Sequence, residues 1–297
     1  MPIAGVLACR SSAAPWLNVA GGLDLLQPVS AEDVLALKEF FSGCPFDARV
    51  ELADRVRPWL LGELSRAGFL PRQCVAVLAR PLEVSSHEAP AALPGGITIR
   101  RLYAQELHLA GQLAALLTNA FTPPDAQPTP REIAVNTAAL CHPESHAYIA
   151  LDGDVPVGGG LLDIADGVAS LWGAAVSPAY RCRGIQRGLF LARMDAARQA
   201  GATMAYTETA PGGPTHRNAA RLGFTLAYNR IVLSWKPRSE SPDHPPARPP
   251  ASVPLTTAWD QSGSPPSAAG PSPPASGVRM SSAMGPFQTR GQSAAPS

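Results

Sequence analysis

The sequence predicts an α/β (α+β) fold with a mixed, mostly antiparallel central sheet. Apolar, β-branched runs are joined by short Asp-Gly turns at Asp152-Gly-Asp154 and Ala165-Asp-Gly167, which are typical of antiparallel hairpins. Between other strand-like runs, apolar residues recur every three or four positions, which indicates helices. With 297 residues, 45% of them hydrophobic, the chain is long enough to bury a substantial core.

In the main part of the chain the patterns predict the order β-α-α-β-β-β-α-β-α-β-β. The predicted strands are residues 97–102, 146–151, 155–164, 168–176 and 204–209, followed by a hairpin of residues 224–228 and 231–235. The predicted helices are residues 106–121, 132–140, 184–200 and 215–222. Gly201 follows the third of these helices and is a typical helix terminator.

Composition divides the chain into four segments. Residues 237–297 are rich in Pro, Ser, Ala and Gly without apolar periodicity, which predicts a disordered tail; a partner-docking tail is the alternative. The turn-rich residues 86–96 are interpreted as a linker. The remaining segments are an N-terminal half-domain of residues 1–85 and a main domain of residues 97–236.

The first 85 residues contain a weak echo of the main domain. A strand at 49–52, a helix at 55–67 and a strand at 74–80 mirror the series that runs from 204 to 235. Arg66-Ala-Gly-Phe69 and Arg221-Leu-Gly-Phe224 hold equivalent places, with a Gly ending a helix and a Phe starting a strand. Ser30, followed by Glu32 and Asp33, predicts a further helix start. Either these residues form a degenerate half-domain that shapes a substrate cleft, or the similarity is due to chance.

Bulk properties exclude several functional classes. The formal net charge of +1 provides no basic excess for binding nucleic acid. No apolar run approaches the ~20 residues that span a bilayer, and the N-terminus lacks a signal-peptide pattern. The five cysteines form no C-x-x-C pair, so neither a disulfide framework nor a zinc site is predicted. We expect a cytoplasmic protein without a nucleic-acid, membrane or metal partner.

The segment Arg181-Cys-Arg-Gly-Ile-Gln-Arg-Gly188 carries the clearest chemical signal, because it joins a predicted strand to a predicted helix. Backbone N–H groups at a helix N-terminus lack intrahelical acceptors and favour anions. Gly184 allows close approach of the backbone, while Arg181, Arg183 and Arg187 add charge-assisted donors. The pattern favours a phosphate or pyrophosphate site; a basic surface turn is the alternative.

The longer segment from Val176 to Leu189 resembles the signature R/Q-x-x-G-x-G/A of the GNAT acetyltransferase family. The element order over residues 97–235 matches that family, and Asn218-Ala-Ala-Arg-Leu-Gly-Phe224 resembles its late helix and Gly-Phe exit. The resemblance implies a GNAT-type acyltransferase fold, acetyl-CoA as the acyl donor and a primary amine as the acceptor.

The resemblance also assigns residues to the donor site. The main chain at Val176 would pair with the pantetheine arm, and Arg181 takes the first signature position. Asn218 would cap the late helix or touch the cofactor. The pyrophosphate would be held by the amides of Arg183, Gly184, Ile185, Gln186, Arg187 and Gly188. Gln186 departs from the signature, and its side chain is expected to point away from the phosphates.

Acyl transfer to an amine requires a neutral amine, a donor for the developing oxyanion and a proton for the leaving thiolate. Glu208, at the end of a predicted strand, is the candidate base, directly or through water; a solvated carboxylate is the alternative. His216 is either a second candidate base or a surface residue. Ala219 stands where many relatives place a Tyr that protonates the thiolate, so a catalytically silent CoA-binding or interaction module is the alternative function.

Two further features of the predicted strands bear on the site. Gly158-Gly-Gly160 lies within a central strand, where glycines permit a bulge or the close approach of a ligand. Trp172 lies on the next strand and either lines the acceptor cleft or packs in the core.

Overall fold

A computed structural model describes residues 2–3, 5–83, 93–123 and 125–237. Residues 86–92 of the predicted linker and residues 238–297 of the predicted tail lie outside the described residues. The described strands are β1 (Pro2–Ile3), β2 (Val6–Cys9), β3 (Val19–Gly21), β4 (Ala48–Ala53), β5 (Leu70–Pro81), β6 (Ile97–Arg101), β7 (His146–Asp152), β8 (Val155–Ala165), β9 (Val168–Val176), β10 (Met204–Thr209) and β11 (Thr225–Trp235). The described α-helices are α1 (Ala31–Ser42), α2 (Pro58–Arg66), α3 (Leu107–Phe121), α4 (Pro130–Leu140), α5 (Ile185–Gln199) and α6 (Pro214–Arg221).

All of these strands form one sheet in the order β1-β2-β3-β4-β11-β5-β10-β9-β8-β7-β6. Neighbouring strands are antiparallel except for the pairs β3–β4 and β9–β10, which are parallel. The predicted mixed, mostly antiparallel sheet is therefore confirmed. The helix α4 begins two residues before its predicted start, because Thr129 and Glu132 form a capping box around Pro130.

The predicted final hairpin is wrong, because Thr225–Trp235 is one continuous strand. This strand lies between β4 and β5 and pairs with both of them. Its register against β5 shifts between Leu226 and Tyr228 and again between Val232 and Leu233. Such bulges break the alternation of apolar residues without ending the strand, and this break resembled a turn in the sequence.

The last strand of the N-terminal part of the chain pairs with a strand of the C-terminal part. The last strand of the C-terminal part likewise pairs with a strand of the N-terminal part. The strand β5 pairs with β10, and β11 pairs with β4. Between β5 and β11, Thr225 pairs with Ala79 and Ser234 pairs with Leu70. The first residue of each strand therefore pairs with a residue near the end of the other strand, so the pairing is symmetric. The division of the chain into a half-domain and a main domain stays a prediction.

The helices that precede β5 and β11 end in the same way. The amide of Phe69 donates to the carbonyl of Leu64 at 2.9 Å, and the amide of Phe224 donates to the carbonyl of Ala219 at 3.1 Å. The preceding glycines are both left-handed, with φ of 94° at position 68 and 78° at position 223. These are Schellman-type helix ends, and both phenylalanines are buried.

Alternate residues of the sheet pack against different helices. Leu171 belongs to the buried cluster that includes Ile185 and Leu189 of α5, whereas Trp172 packs against the cluster formed with α3. A third cluster joins α1 and α2 to β4 and β11. The central sheet therefore separates an α5 face from an α3 face, and the strand β9 presents residues to both.

Candidate functional site

The parallel strands β9 and β10 separate partway along their length. They pair only where residues 168–170 lie beside residues 204–206. The hydroxyl of Thr207 then donates to the carbonyl of Leu171 at 2.9 Å, and beyond this contact the two strands diverge. The space between the diverging strands β9 and β10 is called the gap. The main-chain groups of β9 from residue 172 to Val176 are directed toward it. An extended ligand can pair with such an edge as an added strand.

The helix α5 begins directly beside this gap. Its N-cap residue, Gly184, has φ 78°, no side chain caps the helix, and its first turn contains no acidic residue. Arg181, Arg183 and Arg187 are exposed. The first N–H groups of α5 are therefore free for a ligand, and the charges around them favour an anion.

The topologically equivalent helix in the N-terminal part has a different start. The helix α1 connects the parallel strands β3 and β4, as α5 connects β9 and β10. Ser30 and Asp33 form a capping box, and Glu32 adds a second acid to the first turn. These groups satisfy the amides and repel anions. Of these two equivalent helices, only α5 is suited to binding a phosphate.

Two hydrogen bonds and one cation–π contact fix the loop that joins β9 to α5. The hydroxyl of Tyr180 donates to Asp152 at 2.9 Å, and the guanidinium of Arg183 lies 5.0 Å from the centre of the Tyr180 ring. Arg181 donates from Nε to the carbonyl of Val176 at 3.3 Å. The predicted cofactor residues Val176, Arg181 and Arg183 are thus brought together at the gap.

The side chain of Gln186 is directed toward α6. It donates to the hydroxyl of Thr215 at 2.9 Å and accepts from the Asn218 amide at 2.6 Å. Arg221 in turn donates to the side-chain oxygen Oδ1 of Asn218 at 2.9 Å. The N-cap of α6 is Gly213, so Asn218 does not cap the late helix. Gln186 and Asn218 instead connect the first turn of α5 to α6.

Glu208 forms an ion pair on the α3 face of the sheet. Its two carboxylate oxygens accept from Arg230 at 2.6 and 3.0 Å, and Arg230 also donates to Glu51 at 2.7 Å. Burial raises the pKa of Glu208 above its ordinary value, and the charge of Arg230 opposes this rise. Burial alone would lower the pKa of Arg230, but Glu208 and Glu51 together raise it. Glu208 is therefore paired with Arg230, while its side chain stays partly exposed to solvent.

Two other positions that were considered for catalysis lie on α6. Ala219 is fully buried in the α5 cluster, so it supplies neither a proton nor an open site for one. His216 is partly buried, and within the described part of the chain its Nδ1 atom has no hydrogen-bond partner.

Arg193 of α5, which contacts β8 and β9, was not expected from the sequence. It is completely buried, and it donates to the carbonyls of Leu161 at 2.9 Å and Trp172 at 3.3 Å. Burial lowers its pKa to about 10. A Cβ atom at Gly160 would lie 2.9 Å from the Arg193 guanidinium. The only available signal was a charged residue on the apolar face of α5, four positions after Leu189.

The carbonyl of Trp172 that Arg193 contacts lies at a bulge in β9. The register against β8 shifts between Gly159 and Leu161, and Gly173 has a left-handed φ of 60°. The glycines of β8 admit side chains from the protein itself, because a Cβ atom at Gly159 would lie 2.6 Å from Leu113. The bulge redirects the main chain of β9 where it borders the gap.

Residues 2–3, 5–83, 93–123 and 125–237 contain no helix with both the length and the apolar character needed to cross a bilayer. The same residues contain no cluster of three or more His, Cys, Asp or Glu side chains able to hold a metal ion.

Comparison with known proteins identifies the fold. Residues 111–224 match the model of the acetyltransferase (GNAT) family. The structure is similar to a GCN5-related N-acetyltransferase from Kribbella flavida, with 19% identity, a TM-score of 0.55, and coverage of 77% of this chain and 88% of that chain. It is also similar to a GCN5-related N-acetyltransferase from Sphaerobacter thermophilus, with 17% identity, a TM-score of 0.53, and coverage of 79% of this chain and 76% of that chain.

A third similar structure is a tandem GNAT protein from the clavulanic acid biosynthesis pathway, with 14% identity, a TM-score of 0.53 and coverage of 77% of each chain. No curated protein sequence matches this chain significantly. At these identities the solved structures show the fold alone, and the family model accounts for the segment that carries the gap and the loop. Residues 111–224 therefore form an acetyltransferase domain of the GNAT family.

Proposed function

We propose that the protein transfers the acetyl group of acetyl-CoA to a primary amine. The observation that carries this proposal is the uncapped start of α5, which lies beside the gap between β9 and β10 and is surrounded by exposed arginines. The arrangement combines a site for a diphosphate with an open strand edge for an extended arm, and acetyl-CoA contains both groups.

The chain's own residues fit this donor substrate. The amides from Arg183 to Arg187 supply donors for the pyrophosphate, whereas the Gly188 amide, also expected there from the sequence, donates to the carbonyl of Gly184 within the helix at 2.9 Å. Arg181, Arg183 and Arg187 supply positive charge. Because the side chain of Gln186 is bonded to Thr215 and Asn218, it leaves these amides uncovered. The main chain at Val176 pairs with the pantetheine arm in this proposal, which places the acetyl group near the bulge of β9.

Glu208 is the proposed base, acting directly or through a water molecule. Tyr206 is the last residue of β10 that pairs with β9. Glu208 lies two positions after Tyr206 and therefore borders the gap. Its side chain is 35% exposed and remains accessible to an acceptor. A raised pKa makes a carboxylate a better proton acceptor, and a positioned base contributes roughly 10²–10⁴-fold to the rate.

The alternative proposal is a catalytically silent CoA-binding or interaction module. It is favoured by the buried Ala219, which leaves the leaving thiolate without a side-chain acid from that position. The hydroxyl of Tyr180 is already bonded to Asp152. Under this alternative, acetyl-CoA binds at the same loop but no acceptor is acetylated.

A cytoplasmic location forms part of the same proposal. All five cysteines are free thiols, and unpaired cysteines are usual in a reducing compartment.

Calorimetry with acetyl-CoA, combined with a thiol-release assay over a panel of primary amines, tests both proposals. Binding together with amine-dependent thiol release above spontaneous hydrolysis supports the transferase. Binding without any such release supports the silent module. Absence of binding at millimolar acetyl-CoA contradicts both.

A further inference from the structure

Asp163 and Trp172 form a contact on the α3 face of the sheet. The indole Nε1 of Trp172 donates to Oδ2 of Asp163 at 2.6 Å, and both residues are partly buried. Asp163 pairs with Ser170 on β9, and Ser170 pairs with Tyr206 on β10. A carboxylate, an indole, a hydroxyl and a phenol therefore lie on three adjacent strands.

The carboxylate of Asp163 differs from the other acids of this face in its charge environment. Glu208 and Glu51 are both paired with Arg230. Asp163 accepts a hydrogen bond from Trp172, and among the residues that the structure describes it forms no ion pair. Burial raises its pKa, and only the bond from Trp172 opposes this rise. A partly buried carboxylate next to an aromatic ring is well suited to binding an ammonium group.

The position of Asp163 along the sheet sets the distance between its carboxylate and the amine that reacts in the gap. The strands β9 and β10 part after Ser170 and Tyr206, and Ser170 is the ladder partner of Asp163. The bulge at Gly173 is three residues farther along β9, which corresponds to about 10 Å at the rise of a strand. The start of α5 packs on the opposite face of the sheet. An acceptor on the α3 face would therefore approach the gap from the side opposite the donor loop.

We propose that Asp163 and Trp172 bind a second ammonium group of the acceptor, about 10 Å from the amine that reacts. The acceptor class is then a diamine or a larger polyamine. This inference rests on the proposed function, because it assumes that the amine reacts in the gap between β9 and β10. Asp163 supplies the charge, Trp172 orients the carboxylate and offers its ring, and Glu208 on β10 acts on the other amine.

The test compares two matched ligands by calorimetry, with the full chain saturated with coenzyme A. The ligand 1,7-diaminoheptane carries two ammonium groups, and 7-aminoheptan-1-ol replaces one of them with a neutral hydroxyl. We expect the wild-type protein to bind the diamine roughly 10- to 100-fold more tightly, as for a hydrogen bond to a charged group. Asp163→Asn keeps an acceptor for the indole N–H but removes the charge, so this preference should be lost.

The neighbouring turn offers a control, since Asp166→Asn makes the same charge change at an exposed position and should retain the full preference. Trp172→Phe is a second variant, which keeps a ring but removes the bond to Asp163; its preference should fall below that of the wild type. Equal wild-type affinity for the two ligands, or an undiminished preference in Asp163→Asn, would overturn the proposal.

A titration of the same proteins with acetyl-CoA separates this inference from the proposed function. If acetyl-CoA binds but the diamine binds no better than the amino alcohol, the ammonium site alone is wrong. If acetyl-CoA does not bind, the donor site is wrong, and the inference that depends on it falls as well. Unchanged acetyl-CoA affinity in Asp163→Asn shows that this variant is folded.

Discussion

Arg230 reaches across β5 and donates to both carboxylate oxygens of Glu208, at 2.6 and 3.0 Å. The same guanidinium also holds Glu51 on β4. A single arginine of the last strand thereby connects a carboxylate of the N-terminal part to a carboxylate that borders the gap. Both the chemistry assigned to Glu208 and the role of the N-terminal part depend on this connection.

The first prediction concerns Glu208 as the base. Glu208→Gln should lower the turnover number roughly 10²–10⁴-fold and leave the affinity for acetyl-CoA unchanged, because the amide cannot take the proton. Steady-state thiol release with a primary amine measures the first quantity and calorimetry the second. Glu51→Gln is the matched control, since it also removes a partner of Arg230 but lies farther from the gap. Turnover of Glu208→Gln within twofold of wild type would show that Glu208 is not the base.

The second prediction concerns pH. The pKa of Glu208 is raised by burial, and the base acts only when ionised. Activity should therefore fall as the pH decreases through this raised pKa, with a midpoint above the ordinary glutamate value of about 4.3. The pH–rate profile of the wild type should show this acidic limb, and that of Glu208→Gln should lack it. Asp163→Asn should retain the limb, and its loss there would assign the titration to Asp163 instead.

The third prediction concerns the loop before α5. Arg183→Glu reverses a charge beside the free amides and should weaken acetyl-CoA binding at least tenfold, because a charge-assisted contact becomes a repulsion. Arg55→Glu makes the same change at an exposed site in the N-terminal part and should bind normally. Calorimetry at low and high salt should show a smaller difference at high salt. Equal affinity of Arg183→Glu and wild type would contradict the loop assignment.

The fourth prediction concerns the buried Arg193 and two glycines. A Cβ atom at Gly160 would lie 2.9 Å from the Arg193 guanidinium, so Gly160→Ala should destabilise the fold by about 1–3 kcal/mol. Gly111 on α3 has no atom within 4 Å of such a Cβ, so Gly111→Ala should stabilise the fold by about 0.5–1 kcal/mol. Urea unfolding measures both free energies. A neutral Gly160→Ala would mean that Arg193 moves aside without cost.

Much of the fold was predictable because it depends on local signals. The Asp-Gly turns correctly predicted the meander of β7, β8 and β9, and the basic segment before Gly184 correctly predicted a strand-to-helix junction. These features arise from turn chemistry and from apolar periodicity over short stretches, which sequence patterns record directly.

The features that were missed depend on long-range pairing. The insertion of β5 between β10 and β11 joins residues that are far apart in sequence, and no local pattern indicates it. The ion pairs of Arg230 with Glu51 and Glu208 are a consequence of that insertion. Arg193 was missed because a buried arginine is unusual, and its acceptors lie on two other strands.

A crystal structure of the protein with coenzyme A would show directly where the pyrophosphate binds. We expect the pyrophosphate to lie within hydrogen-bond distance of the amides from Arg183 to Arg187, with the pantetheine arm running along β9 beside Val176. A pyrophosphate bound elsewhere, with these amides unchanged, would contradict this expectation.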